Sequence, residues 1–432
     1  MIEIIRTDES DRLTLLKRRL SLRRVATDET LMRSVETIIS EVRDNGDQAL
    51  IRYAAVFDKI ELNIADLRVT EDALRSSASR VDKDVLNALR EAIRRVRLFH
   101  SFERQKSWEV TNSSGVRLGQ RVAPIERVGV YVPGGSASYP SSVVMNIVPA
   151  QIAGVKRIVI VTPPGTVEMN PAVAAALLEL GETEVFAVGG AQAIAALAYG
   201  TETVPRVDKI VGPGNRYVAA AKKMVFGLVG IDTIAGPSEV VVLADETAQA
   251  AFVASDLLAQ AEHSDDASAI LITNSSRFAA EVAEQVTQQA PSLPRAAVIE
   301  KSLSQYGAIV VVKDWDEGCA LVNDFAPEHL EIMARDTDWL ASRVKNAGAI
   351  FFGDYSPEAV GDYLAGPNHV LPTSGAARFS SALSVYDFIK RTSLVRFTAK
   401  ELEANTAHIA ALARVEGLEA HARSVLVRLE KN

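Results

Sequence analysis

Cysteine is nearly absent: Cys319 stands alone among 432 residues, so no intrachain disulfide can form and a zinc site built from several thiolates is excluded. A reducing compartment fits. Cations are also in deficit, with 47 Lys and Arg against 55 Asp and Glu and a formal net charge of −8. That is the wrong sign for a surface that binds phosphate backbones by counterion release, and no nucleic-acid partner is expected. No stretch approaches the roughly 18 continuous apolar residues of a membrane span, and the opening MIEIIRTDES lacks a basic segment followed by an apolar core. A cytoplasmic protein with no membrane partner is expected. A strict Gly-x-Gly-x-x-Gly dinucleotide fingerprint is missing too; in the nearest run, Gly212-Pro213-Gly214-Asn215-Arg216-Tyr217, tyrosine stands where the third glycine belongs.

What the chain does contain is alternation. Its length exceeds what one hydrophobic core supports, so two substantial domains with smaller appendages are expected. A composition of 48% hydrophobic and 24% charged residues matches a soluble globular protein. Short β-branched runs at 128–132, 157–162, 184–188, 209–211, 240–243, 269–273 and 308–312 alternate with Ala-rich helical stretches. This pattern predicts βαβ units, parallel sheets covered on both faces, and an α/β fold with two similar lobes. Residues 27–97 read as helical, with a stop at Asn45-Gly46. The run LLKRRLSLRR (15–24) reads as a solvated, partly packed N-terminal helix, and could equally dock on a partner subunit. From about Val385 the chain turns mostly helical again, and TAHIAALARVEGLEAHARSVLVRLEKN has too little room for its own core. It should pack on another domain or another subunit.

Six histidines narrow the search for chemistry: His100, His263, His329, His369, His408 and His421. His100 and His408 read as structural. In DLLAQAEH, Gln260 and His263 lie three positions apart, so on a helix both side chains share a face and can reach one ion. The polar face of an ordinary helix gives the same spacing. Glu328 and His329 adjoin in FAPEHLEI, after Pro327. Neighbouring side chains diverge, so the two suit different protons: an imidazole of pKa about 6.5 serves as a base at neutral pH, and a carboxylate can activate water. An exposed loop pair is the plain alternative. The irregular GDYLAGPNHVLPTSGAARFSS (361–381) reads as a site-lining loop, with Asp362 a hard oxygen donor for a divalent ion. His421, in EGLEAHA with Glu416 and Glu419, reads by itself as part of a charged C-terminal helix. Three strand-to-helix turns, YVPGGSASYPSS (131–142), VGGAQAIAA (188–196) and VGPGNRYVAAAKK (211–223), either present helix N-termini to an anion or are simply tight turns.

In this order, RVGVYVPGG, YPSSVVMN, GGAQAIAALAYGT, VDKIVGPGN, AGPSE, DLLAQAEH, APEHLEI, GPNHVLPTSG and EGLEAHA closely resemble the histidinol dehydrogenase family, from about residue 27 to the C-terminus. The resemblance implies oxidation of L-histidinol through L-histidinaldehyde to L-histidine, the last steps of histidine biosynthesis, with two NAD and one zinc ion per active site. It makes Gln260, His263, Asp362 and His421 the zinc ligands, and Glu328 and His329 the acid–base pair. Ser238 and Glu416 become substrate contacts, together with His329 and the four ligands. Tyr131, Gln192 and Asn215 become NAD contacts. The family fold implies two incomplete Rossmann-like lobes with parallel sheets, which agrees with the missing glycine fingerprint. Mapped onto this chain, it gives an N-terminal helical arm (1–26), a discontinuous first lobe (27–130 and 239–384), a second lobe with the NAD contacts (131–238), and a C-terminal helical tail (385–432). In an intertwined homodimer, that tail reaches into the partner's site.

The implied mechanism holds histidinol through its amino and imidazole nitrogens, with neutral His329 taking the hydroxyl proton as hydride leaves for NAD and Glu328 helping water add to the bound aldehyde. The nearest alternative is a relative that oxidises another small polar alcohol with the same zinc and NAD machinery; EGLEAHA, with Glu416, speaks against it. A zinc hydrolase using Glu328 would act without NAD, and a binding protein that kept the fold would have to explain why the site positions survive. Ser264-Asp265-Asp266 follow the metal motif where the family more often carries glycine, which bears on the local turn rather than on the ligands.

Overall fold

The computed structural model describes residues 2–23, 29–134 and 139–430. The chain divides into a main body, Met1–Glu103 with Glu126–Phe388, and a smaller unit, Arg104–Ile125 with Ile389–Asn432.

The main body holds two six-stranded sheets built on one plan. The first has the spatial order Glu3–Arg6, Ala308–Val311, Ser268–Thr273, Glu239–Ala244, His329–Met333, Ala349–Phe352, all parallel. The second runs Arg68–Val69, Val185–Ala187, Arg157–Thr162, Arg127–Tyr131, Lys209–Val211, Gly230–Ile231, antiparallel only at the Arg68–Val69 edge. Apart from the first strand in each order, chain order across both sheets reads 3-2-1-4-5. The order therefore reverses beside Glu239–Ala244 in the first lobe and beside Arg127–Tyr131 in the second. Strand side chains feed both faces, as the period of two requires: Val240 and Val242 join one core with Leu257 and Phe278, while Val241 and Leu243 join another with Leu16, Cys319 and Val322. The α/β class and the Rossmann-like lobes are therefore present. All seven sequence-predicted strands form, shifted at either end by at most one residue.

Several boundaries differ from the sequence reading. The N-terminal arm (1–26) is not wholly helical, because Glu3–Arg6 pairs with Ala308–Val311 before helix Ser10–Leu22 buries Leu16 in the first lobe. Four residues are too few to show a period. The helices of 29–101, placed by sequence with 239–384, cover the second sheet instead: Leu31, Val35, Val42 and Leu50 share a core with Val159, Phe186, Ile194 and Val218. An amphipathic helix shows which face it buries, but not which sheet receives it. The expected stop at Asn45-Gly46 is a break within helix Glu29–Tyr53, where Gly46 has φ 50. Arg24 and residues 135–138 of the first glycine loop lie outside the described residues.

The smaller unit is a three-stranded antiparallel sheet, Ile389–Arg396 against Arg117–Pro124 against Trp108–Thr111, followed by helices Ala399–Val415 and Glu419–Leu426. Residues 104–125 therefore belong with the tail rather than with the first lobe, and the tail is not wholly helical. Strand pairing across so long a separation leaves no local mark. The buried apolar cluster of the two helices is only Ala410, Ala413 and Ala422. Among the described residues no helix is long and apolar enough to cross a membrane.

Candidate active site and metal centre

Both lobes of the main body line a cavity of about 840 Å³, with Pro133, Gly212 and Asn215 from the second lobe and Ser238, His263, Glu328, His329, Asp362 and His369 from the first. The second lobe meets it with the C-terminal ends of its strands, at the point where strand order reverses, the usual place for a ligand in such sheets. Gly212, at φ 112, is required there because a Cβ would stand 2.2 Å from the Tyr131 carbonyl oxygen. Its amide donates to Asp232 at 2.8 Å and its carbonyl accepts from Lys222 at 3.0 Å. Lys222 and Asp232 also pair with each other, both buried, so one ion pair grips the turn at both ends.

Asn215 caps helix Arg216–Val225 by accepting from the Tyr217 and Val218 amides at 3.0 and 3.2 Å. It is exposed on the cavity wall, at the positive end of that helix. Tyr131 and Gln192 are buried. The Tyr131 hydroxyl accepts from the Gly190 amide at 3.1 Å, and burial pushes the phenol up to about 12.

The first lobe meets the cavity with the N-terminal ends of its strands. Ser238 precedes Glu239–Ala244, and Glu328 and His329 open the neighbouring strand. Helix Trp315–Phe325 ends on Ala326 in the left-handed region, at φ 48, and Pro327 blocks its continuation. The exposed-loop alternative does not hold, since Glu328 and His329 are 6% and 4% exposed. Both are tied to the backbone of one residue: Glu328 Oε2 accepts from the Glu239 amide at 2.9 Å, and His329 Nδ1 donates to the Glu239 carbonyl at 3.2 Å. With its proton on Nδ1, His329 keeps Nε2 free of hydrogen bonds, 3.7 Å from Asp362 Oδ1. Burial pushes the Glu328 carboxyl up to about 8. At His329 burial favours the neutral ring, but the carboxylates of Glu358, Glu328 and Asp362 outweigh it and raise the imidazole to about 10.

Helix Ala250–Ala261 ends at the same place. Gln260 occupies its last turn, fully buried, and His263 follows the Glu262 cap. His263 Nδ1 donates to the Ala259 carbonyl at 3.1 Å, which leaves Nε2 for a ligand. Helix Glu358–Tyr363 carries Asp362. His263, Glu358 and Asp362 offer donor atoms within 4.8 Å of one another. An imidazole and two carboxylates this close, at the negative end of a helix, fit a divalent cation that takes nitrogen and oxygen donors. The Gln260 amide abuts Glu358, and the orientation that satisfies both groups turns its nitrogen there, donating to both carboxylate oxygens at 2.9 and 3.1 Å. Burial pushes Glu358 up to about 7.

The main body thus brings together Gln260, His263, Asp362, Ser238, Glu328 and His329. His421 and Glu416 lie in the smaller unit, where both are exposed. His100, read as structural, is buried against Glu103 at 2.7 Å, and His408 is exposed. Sequence reasoning missed Glu358, His369 and the Lys222–Asp232 pair. Glu358 stands four residues before Asp362, one helical turn on the same face, so the signal was available. His369 sits in GPNHVLPTSG, and burial favours its neutral form.

The chain matches the family model described as histidinol dehydrogenase over residues 21–429. It is 53% identical over 415 residues to the histidinol dehydrogenase of Geobacillus kaustophilus, covering 95% of this chain and 97% of that one. To that of Gluconobacter oxydans it is 49% identical over 409 residues, 95% of each chain. The crystal structure of histidinol dehydrogenase from Elizabethkingia anophelis superposes with a TM-score of 0.90 at 37% identity, covering 96% of both chains. A model match along nearly the whole chain, on a fold with this cavity, shows that the chain is an oxidoreductase belonging to the histidinol dehydrogenase family.

Proposed function

We propose that the cavity oxidises L-histidinol through L-histidinaldehyde to L-histidine, with NAD as hydride acceptor and one zinc ion held by Gln260, His263, Asp362 and His421. The observation that carries this reading is the convergence of His263 and Asp362 donor atoms with the unpartnered Nε2 of His329, in a chain of this family. Zinc, when bound, would supply charge that orients the substrate nitrogens and offsets the carboxylates around His329, and NAD would accept the hydride.

The remaining steps belong to the chain itself. His329, steered by the Glu239 carbonyl, presents Nε2 as acceptor for the hydroxyl proton of the alcohol. Glu328, once ionised, takes a proton from the water that adds to the aldehyde. Its contact with the Glu239 amide keeps the carboxylate in place between the two oxidations. Ser238 and Glu416 contact the substrate. Tyr131, Gln192 and Asn215 serve NAD, Asn215 from the exposed helix start. His421 and Glu416 come from the partner's tail in a homodimer; support lies in the alanine-only buried cluster of the two tail helices and in the exposed Leu412, Val415 and Val395 of the smaller unit. We place the protein in the cytoplasm.

The test is NADH formation from histidinol by purified protein before chelation, after it, and after zinc is restored. Two NADH per histidinol, lost and recovered with zinc, is the expected result. Turnover of other amino alcohols but not of histidinol would overturn the substrate, and activity without NAD would overturn the reaction class.

A further inference from the structure

Two side chains compete for the role of oxygen donor beside His263 and Asp362. One is the Gln260 carbonyl; the other is the Glu358 carboxylate, whose oxygen lies within 4.8 Å of the His263 and Asp362 donor atoms. The geometry points to a division of labour, and we propose that Glu358 is a positioning residue that directs Gln260 and is not itself a ligand. This rests on the reading of Gln260 as a metal ligand.

A glutamine amide is nearly symmetric in shape but not in chemistry. Its nitrogen has no lone pair to give a cation, so a half-turn of the side chain converts a ligand into a repulsive group. Glu358 removes that ambiguity. The Gln260 amide lies against both Glu358 carboxylate oxygens, and the orientation that satisfies both groups is assigned from this contact: with the nitrogen toward Glu358 it donates to them at 2.9 and 3.1 Å, whereas the opposite orientation presses a carbonyl oxygen against a carboxylate. The carbonyl limb of the amide is thereby turned away from Glu358. A carboxylate in this role also draws charge through the amide and makes its oxygen a better donor, as outer-sphere partners do for ligating imidazoles.

Glu358 is itself held firmly. It is 3% exposed, and its backbone amide donates to Glu331 Oε1 at 2.7 Å from within the strand that begins with His329. Its side chain also approaches His329 Nδ1, at 3.8 Å. On helix Glu358–Tyr363 it lies one turn before Asp362, and Gln260, in the last turn of helix Ala250–Ala261, stands just before His263, which follows that helix's cap. Each helix thus contributes a residue to the amide–carboxylate contact, and a donor follows on helix Glu358–Tyr363 at Asp362 and just past the end of helix Ala250–Ala261 at His263. The contact fixes the two helices to each other behind the metal.

The test is zinc affinity, measured on the full-length protein by chelator competition, for Q260A, E358A, E358Q and the double variant Q260A/E358A. E358A should weaken zinc binding by about 10- to 100-fold, the usual effect of losing an outer-sphere partner. E358Q keeps one acceptor oxygen for the Gln260 amide, preserves shape if E358A folds poorly, and should lose less. In the Q260A background, E358A should cause no further loss, because its effect runs through Gln260. The cobalt(II)-substituted E358Q protein should keep the ligand-field bands of the wild type. Unchanged affinity in E358A, or losses that multiply in the double variant, would overturn the proposal, the second result marking Glu358 as a ligand. If Q260A binds zinc like the wild type, the ligand assignment of Gln260 falls and takes this proposal with it; if Q260A is weakened and E358A is not, only this proposal falls.

Discussion

The two lobes of the main body share a strand order and serve one cavity with opposite ends. In the second lobe the strands point into it, a helix starts there, and the positive end of that helix, beside Asn215, favours an anion. In the first lobe the strands point away, a helix ends there, and its negative end with Gln260 and His263 favours a cation. One topology thus gives an anion-favouring wall and a cation-favouring wall, according to which edge of the sheet faces the cavity. At the first lobe's other edge, where a nucleotide would bind by analogy, Asp245 occupies the equivalent turn. Its carboxylate accepts from the Arg335 amide at 3.0 Å and the Thr247 amide at 2.8 Å.

The largest effects should separate the two walls. Replacing His263 with alanine should abolish tight zinc binding and lower turnover by about 10³-fold or more, since several kcal/mol of orientation and charge stabilisation go with the ion. NAD binding, followed by fluorescence quenching, should be preserved. If His263→Ala kept its zinc and its turnover, the cation-favouring wall would have been misread.

Glu328 tests the boundary between the walls by pH. Burial raises its folded-state pKa to about 8, above the ordinary carboxylate value. For an acid shifted upward, the protonated form is the stable partner of the fold, so its contribution is present at low pH and is lost as pH rises through about 8. Chelator-treated protein should therefore unfold at lower urea concentration at about pH 9 than at about pH 6, and Glu328→Gln should flatten that difference. In catalysis the same variant should slow histidinaldehyde oxidation by roughly 10²- to 10⁴-fold, and alcohol oxidation less. An equal loss in both steps would remove Glu328 from the water-adding role.

Asn215 sharpens the comparison from the anion side. Its alanine variant loses a helix cap worth about 1 kcal/mol and should raise the KM for NAD roughly 5- to 10-fold, with zinc content unchanged. A fall in zinc content would show that the walls are not independent.

Much of this was legible in the chain because parallel strands buried on both faces leave unbroken runs such as RIVIVT and SAILIT. The spacing of Gln260 and His263 likewise pointed to a candidate metal site, and what spacing alone could not supply is the approach of Asp362 and Glu358 to His263. Glu358 has the same kind of spacing from Asp362, but the helix Glu358–Tyr363 that carries both is too short to show a helical period. The destination of the helices in 29–101 was not legible at all: an apolar stripe buries equally well on either sheet. The burial of Glu328 and His329 was hidden too, since a proline followed by two ionisable residues reads as a surface turn until the strand they open is seen between Glu239–Ala244 and Ala349–Phe352.

The smallest expected effect bears most directly on why only one lobe carries the anion wall. If Asp245 merely satisfies the amides of a turn in a lobe that does not serve a nucleotide, Asp245→Ala should cost about 1 kcal/mol in urea unfolding through its lost hydrogen bonds, leaving the KM for NAD and the zinc content unchanged. A nucleotide phosphate needs those same amides free, and a carboxylate already bound to them repels it. The alanine variant uncovers the amides and removes the repulsion, so equilibrium dialysis with NAD can count sites directly. The same NAD count per active site in both proteins supports a lobe given over to metal and acid–base chemistry; an additional site appearing only in Asp245→Ala would show that the two lobes differ at this edge by one side chain.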